Sequence, residues 1–238
     1  MNKKENFDIS AYFVVGPENT GEYPLVSLLN DVVFAGFTCI QLRSKIASAK
    51  QMIELASEAA QVIEEAGKSE DVTLLVDDRL DIVLAAIKRG IKVDGIHLGQ
   101  SDIPVDVCRE YLGEDAVIGL SARTHEMIDY IKTAEVGPVD YFGVGPIRET
   151  ATKPDCGLDI DGRVVSKSFE DLKTIAQLSP IPVVVGGGVK LHDLPELAKT
   201  GVDGFFVVSA ITEADDPRAE AVKLVESWKE HTSHLHKK

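Results

Sequence analysis
The sequence predicts a single-domain (β/α)8 barrel. Short, near-continuous Val/Ile/Leu runs alternate with segments of helical period, and parallel strands need such runs because both faces of their sheet are covered. About eight strand-plus-helix units fit within 238 residues, a length that α/β barrels commonly occupy as one domain. Polar and charged residues gather directly after the apolar runs, where barrels carry their functional βα loops. A doubly wound open sheet is the competing arrangement, but the first strand leads into Gly16-Pro17 rather than a GxGxxG fingerprint. No low-complexity run or Pro/Gly/Ser-rich boundary divides the chain. Residues 1–10 are expected to form a short extension ahead of the barrel, and 231–238 a frayed, solvated tail.

Tyr12-Phe13-Val14-Val15 is read as the first strand, and Val26, Leu29 and Val33 mark a helix between Pro24 and Phe34. Cys39-Ile40-Gln41-Leu42 follows as a strand. Gln41, Arg43 and Lys45 alternate along and beyond it, so an extended backbone would turn all three to one face. The next helix opens at the capping box Ser48-Ala49-Lys50-Gln51 and carries Met52, Leu55, Ala59, Val62 and Ile63 on one stripe. Two further strands end near Val76-Asp77 and Ile96-His97-Leu98, with Leu80, Val83, Leu84 and Ile87 at helical spacing between them and Gly90 as the stop. Ala116 to Ser121 is a fifth strand, followed by a helix from about Thr124 to Thr133. Val139 to Gly145 is the sixth, and its loop from Pro146 to Pro154 contains Thr150, Thr152 and Lys153. After a helix over Phe169 to Gln177, Ile181 to Val185 runs into Gly186-Gly187-Gly188, and Val202 to Val208 ends at Ser209. The last helix begins with Asp216 as its cap and Pro217 at the first helical position, and it carries Val222, Val225 and Trp228.

The unit from Val76 to Asp102 carries most of the chemical information. A right-handed crossover makes its two strands parallel and brings both C-terminal ends to one edge, so Asp78 and Asp102 are expected to converge. Convergent carboxylates repel unless a cation lies between them. Mg²⁺ takes oxygen ligands, usually one or two carboxylates plus substrate phosphate. The competing structural role for Asp77 or Asp78 is to cap the helix that follows. Gly186 to Gly188 and Ser209 lie after the seventh and eighth strands, where barrels often bind phosphate, and glycine lets backbone N–H groups approach an anion closely. The hydroxyls and lysine of Thr150, Thr152 and Lys153 suit phosphate as well. His97 lies inside an apolar strand and reads as a hydrogen-bonded core residue rather than a catalyst.

A net charge of −14 argues against nucleic acid as a partner, so local positive groups must hold any anionic substrate. No apolar run approaches the 18 or so residues of a membrane span. Cys39, Cys108 and Cys156 show no CxxC spacing, and the N-terminus lacks the apolar core of a signal peptide, which leads to the expectation of a cytoplasmic protein.

The segments Gln41-Leu42-Arg43-Ser44-Lys45, Asp77-Asp78-Arg79-Leu80-Asp81, His97-Leu98-Gly99-Gln100-Ser101-Asp102, Gly143-Val144-Gly145-Pro146, Thr150-Ala151-Thr152-Lys153, Gly186-Gly187-Gly188-Val189 and Val207-Val208-Ser209-Ala210-Ile211 together resemble the thiamine phosphate synthase family, in order and over nearly the whole chain. The resemblance implies a barrel enzyme that joins hydroxymethylpyrimidine pyrophosphate to a thiazole phosphate, releasing pyrophosphate and forming thiamine phosphate. It implies Asp78 and Asp102 as Mg²⁺ ligands, and Gln41, Arg43, Lys45, Asp77 and Lys153 as contacts for the pyrimidine pyrophosphate, with Ser121 beside that substrate. Thr150, Thr152, Gly188, Val208 and Ser209 would hold the thiazole phosphate. Arg43, Lys45 and Lys153 would neutralise the leaving group. The implied partners are small molecules, and a homo-oligomer is compatible with them.

Three features depart from the family pattern. Asp77 stands where relatives often carry asparagine, Arg123 where they often carry histidine, and the charged stretch from Gly157 to Asp171 is longer than usual. Two rival functions remain at this level: a barrel isomerase similar to the thiazole tautomerases, and a non-catalytic sensor of a phosphate ligand. The joint presence of Gln41, Arg43, Lys45, Asp78, Asp102 and Lys153 favours the synthase over both.

Overall fold
The computed structural model describes residues 7–121, 128, 131, 136–148 and 168–233. Eight parallel strands close into a barrel in sequence order: β1 (Ala11–Val15), β2 (Cys39–Leu42), β3 (Thr73–Asp77), β4 (Gly95–Leu98), β5 (Val117–Ser121), β6 (Tyr141–Val144), β7 (Val183–Val185) and β8 (Gly204–Val207). Closure is the parallel pairing of β1 with β8, in the register Tyr12 to Phe206. Around the ring lie α1 (Leu25–Ala35), α2 (Ala49–Glu65), α3 (Leu80–Lys88), α4 (Val105–Leu112), α5 (Phe169–Leu178), α6 (Leu194–Lys199), the short α7 (Ser209–Thr212) and α8 (Pro217–Thr232). The predicted barrel is therefore present, while the helix expected from about Thr124 to Thr133 lies outside the described residues apart from Ile128 and Ile131.

Local signals act where the sequence placed them. Ser48 and Gln51 form a reciprocal capping box on α2, Asp216 accepts from the Ala219 N–H at the start of α8, and Gly90 takes φ 73° just beyond α3. Two apolar stripes are rotated from their expected positions. In α1 the buried set is Leu28, Leu29, Val32 and Val33 while Val26 is 39% exposed; in α3 it is Leu80, Ile82, Val83 and Ala86 while Ile87 is 46% exposed. Each helix packs against the sheet and a neighbouring helix together, so its buried arc is broader than a single i, i+3, i+4 line. The N-cap of helix α3 is Arg79, which makes no side-chain capping bond, so neither Asp77 nor Asp78 stands at the N-cap position itself. At the other end of the chain, α8 continues through His231 and Thr232, with Thr232 buried and its hydroxyl donating to the Trp228 carbonyl, so these two residues belong to the helix rather than to a frayed tail.

The core has two shells. The larger lies between the strands and the helices; the smaller fills the barrel with Tyr12, Val14, Cys39, Leu75, Val117, Tyr141 and Val184. Gly119 on β5 makes room for one of the two tyrosines, since a Cβ there would fall 2.2 Å from the Tyr141 ring.

At the N-terminal end of the barrel one contact is repeated four times. Thr38, Asp94, Asp140 and Asp203, each immediately before an even-numbered strand, donate a backbone N–H to the carbonyl of Ala11, Leu74, Ile118 and Val183 respectively, at 2.8–2.9 Å. Their side-chain oxygens accept the N–H of those same four residues, at 3.3, 2.7, 2.7 and 2.8 Å. Asp140 carries an additional load, because Arg109 pairs with it at 2.7 Å and also donates to the carbonyls of Gly113, Ala116 and Pro138. At the opposite end, Glu18 on the β1 loop accepts from Ser44 Oγ and from the N–H groups of Lys45 and Ile46, tying the first two βα loops together. Partial burial pushes the Glu18 carboxyl upward, but the hydrogen bonds from Ser44 and the local backbone outweigh it and leave the group below the usual glutamate value.

Two stability outcomes follow. Asp140→Ala strands the buried Arg109 guanidinium and should cost about 3–5 kcal/mol; Asp203→Ala, at the equivalent base position, loses one hydrogen bond to a buried N–H and should cost about 1–3 kcal/mol. Urea unfolding of the two variants checks the order. Because Glu18 has a depressed folded value, its contribution is complete above the ordinary value of 4.5 and is lost as pH falls through the folded one. The stability difference between wild type and Glu18→Gln should therefore shrink below pH 4.5 and hold constant from about pH 6 to about pH 8.

Candidate active site
The strands' C-terminal ends surround an open-mouthed cavity of about 850 Å³ with the solvent space of its mouth included. Gln41, Arg43, Asp77, His97 and Ser121 line one side, from β2 to β5; Gly187, Gly188, Val208 and Ser209 line the other, from the loops after β7 and β8. Apolar contacts from Val14, Val184 and Phe206 complete the wall. The asymmetry follows from the pleat. Gln41, Asp77, His97 and Ser121 occupy inward-facing strand positions, and inward positions near the top of a barrel open onto its mouth.

Beneath the cavity these side chains form one hydrogen-bonded chain. Gln41 Nε2 donates to Asp77 Oδ1, and Tyr12 Oη donates to Gln41 Oε1. The Tyr12 and Tyr141 hydroxyls are 2.9 Å apart, Tyr141 Oη is 2.8 Å from His97 Nδ1, and His97 Nε2 is 2.8 Å from Ser121 Oγ. Burial, followed by the charges of neighbouring groups, pushes both tyrosine hydroxyls well above the usual value, so they remain protonated. Arg43 Nε lies 2.9 Å from Asp77 Oδ2 without the alignment of a hydrogen bond, which makes the contact an ion pair. Asp77 thus orients Gln41 and Arg43 together. The expectation that His97 is a hydrogen-bonded core residue holds, and His97 also reaches the cavity wall.

On the far side, Gly187 and Gly188 take φ values of 76° and 86°, the left-handed region open to glycine. Arg148, on the loop after β6, donates to the Gly188 carbonyl and pairs through two nitrogens with buried Asp193 at 2.6 and 2.7 Å. Burial raises the Asp193 carboxyl, but the Arg148 guanidinium and the Lys190 N–H lower it further, so it stays ionised. A Cβ on Gly188 would fall 2.3 Å from Arg148 Cγ.

Of the residues singled out from sequence, Gln41, Arg43, Asp77, Ser121, Gly188, Val208 and Ser209 meet at this cavity. Lys45 does not line it, because β2 ends at Leu42 and the backbone beyond turns to meet Glu18, which breaks the alternation expected for an extended strand. Asp78 and Asp102 lie on the neighbouring loops after β3 and β4 and are also absent from the lining. Asp78 takes φ 61° with its N–H bonded to the His97 carbonyl, and Asp102 Oδ2 accepts from the Gly99 N–H at 2.6 Å. Among the described residues no group of three or more His, Cys, Asp or Glu side chains is arranged to hold a metal. Thr150, Thr152 and Lys153 lie outside the described residues, as does Arg123. Tyr12, Tyr141, Arg148 and Asp193 were not anticipated. Tyr12 and Tyr141 carried a signal, a polar tip at an inward position of an otherwise apolar strand, whereas Arg148 and Asp193 meet only through the folded loops.

Several proteins are similar to this chain in fold or in sequence. The 3-hexulose-6-phosphate synthase of Salmonella typhimurium superposes with a TM-score of 0.64 at 18% identity over 94% of this chain and 100% of its own, a likeness of fold. A thiamine phosphate pyrophosphorylase from Pyrococcus furiosus superposes with a TM-score of 0.73 at 30% identity, covering 97% of this chain and 98% of that one. The thiamine-phosphate synthase of Corynebacterium efficiens is 38% identical over 94% of this chain and 96% of its own length, and that of Natronomonas pharaonis 33% identical over 92% and 95%. Residues 11–211, from the start of β1 into α7, match the family model described as thiamine monophosphate synthase, and on that match and these identities the chain belongs to this family.

Proposed function
We propose that this protein joins hydroxymethylpyrimidine pyrophosphate to a thiazole phosphate, or its carboxylated precursor, releasing pyrophosphate and forming thiamine phosphate. One observation supports the reading most directly: a single cavity has an amide, a guanidinium and a hydroxyl on one wall and a paired-glycine loop with Ser209 on the other, suiting a polar heterocycle with a charged tail and a separate phosphate.

Arg43 stands at the mouth with its guanidinium oriented by Asp77 and faces the pyrophosphate, whose departure requires its developing charge to be neutralised. Lys45 and Lys153 add further positive charge toward the leaving group. The backbone at Gly187 and Gly188, with Val208 and Ser209, holds the thiazole phosphate, and Thr150 and Thr152 complete that subsite. Departure precedes attack, and the ring amine of the pyrimidine stabilises the cation formed. The apolar wall of Val14, Val184 and Phe206 keeps water from that cation.

Asp78 and Asp102 fit a magnesium ion. They are hard oxygen donors on adjacent loops, Asp102 commits only Oδ2 to its own turn, and a two-carboxylate set completed by water and pyrophosphate is what this ion ordinarily takes. When bound, magnesium neutralises charge on the leaving pyrophosphate.

Incubation with both substrates and Mg²⁺, followed by mass detection of thiamine phosphate, tests the proposal, and no product under any metal condition would overturn it. A sensor or an isomerase would release no pyrophosphate in this assay. Asp78→Asn and Asp102→Asn should each weaken the kinetic response to Mg²⁺ and lower turnover on the order of 10²-fold or more. Asparagine is the choice because Asp78 has a left-handed backbone that it tolerates, so far-UV dichroism should be unchanged. An unaltered Mg²⁺ response in both variants would remove these residues from the metal site.

A further inference from the structure
The side chains beneath the cavity have a fixed direction, which donor and acceptor chemistry sets. Asp77 is ion-paired with Arg43 and, as a carboxylate, only accepts, so Gln41 turns Nε2 toward it and Oε1 toward Tyr12. An amide oxygen also only accepts, and Tyr12 therefore commits its one hydroxyl hydrogen to Gln41. Tyr141 must then donate to Tyr12, and with its hydrogen used it must accept from His97 Nδ1.

The hydrogen bonds require a hydrogen on Nδ1, and a ring buried against Tyr141 is poorly placed to carry a second one as a charge. We propose that this chain holds His97 as the neutral Nδ1–H tautomer, so that Nε2 accepts the hydroxyl hydrogen of Ser121 and Ser121 meets the cavity only through its oxygen lone pairs. Tyr12 and Tyr141 are then positioning residues. They act on the ligand through His97 and Ser121, and they select a ligand edge that brings an N–H to Ser121. Nothing in the direction depends on a charge moving. It is set by the ion pair at one end and read at the other, with links on β3, β2, β1, β6, β4 and β5.

Removing the Tyr12 hydroxyl tests this across several intervening bonds. In Tyr12→Phe, Tyr141 loses its acceptor and can donate only to His97 Nδ1. The ring must then carry its hydrogen on Nε2 and donate to Ser121, whose own hydrogen turns into the cavity. Nitrogen-15 spectra of histidine-labelled protein, with His97 assigned by loss of its signals in His97→Gln, should show Nδ1 protonated and Nε2 unprotonated in wild type, and the reverse in Tyr12→Phe. On the synthase reading above, Tyr12→Phe should also raise KM for the pyrimidine pyrophosphate about tenfold, the scale of one lost hydrogen bond, and leave KM for the thiazole phosphate within about twofold. A protonated Nε2 in wild type, or the same tautomer in both proteins, would overturn the proposal. If Tyr12→Phe failed to fold, the wild-type pattern alone would decide it. Absence of any product would sink the synthase reading, while the ring-nitrogen pattern would still judge the tautomer.

Discussion
The hydrogen-bonded seam between β1 and β8 is the constraint on which the molecule depends. Without it the eight short strands, three to five residues each, would form an open sheet with exposed edges. With it their C-terminal ends form a ring, and residues separated by most of the chain become neighbours. Tyr12 and Tyr141 touch across the barrel only because the ring is closed, and so do the Gln41 side and the Gly188 side of the cavity. The inner shell is small enough to be filled by a handful of side chains, which is why Gly119 has to stay small opposite Tyr141.

Much of this was legible in the sequence because strand identity in a parallel barrel is written locally, as apolar runs buried on both faces. The boundaries moved by one or two residues, as with β6, which begins at Tyr141 rather than Val139. The rotated stripes of α1 and α3 show where local periodicity loses to packing: a helix wedged beside another helix buries an arc that its own spacing does not define. The site was legible to the extent that it lies on strand ends. Gln41 follows from alternation, Asp77 and Ser121 from their places at strand ends, and Gly188 from its place after β7. Lys45 did not follow, because alternation stops where the strand stops and a glutamate from another loop then takes over the backbone. Arg148 with Asp193 could not be read at all, since no local rule brings residues 45 positions apart into a two-pronged ion pair.

Asp77 illustrates how a buried carboxylate is accommodated in the cavity wall. An ionised carboxylate donates no hydrogen bond. Here it serves as a sink for donors: Gln41 and Arg43 both turn toward it, and the amide of Gln41 is thereby given a single orientation. Charge on a residue buried this deeply is tolerable only when paired, and the partner is itself a residue of the cavity wall.

The four contacts at the base divide the ring into pairs, β1 with β2, β3 with β4, β5 with β6 and β7 with β8, each stapled by the side chain that precedes its second strand. Among the described residues the joints between pairs show no such staple at that end, while side-chain contacts join them at the other. Gln41 with Asp77 spans β2 and β3, His97 with Ser121 spans β4 and β5, Arg148 with Asp193 joins the loops after β6 and β7, and the Tyr12 and Phe206 rings, 6.1 Å apart, span β8 and β1. The barrel is thus sewn in two complementary patterns, one at each rim. The cavity is lined from both sides of several joints at once, so a ligand that filled it would bridge quarters of the ring that the base contacts leave separate.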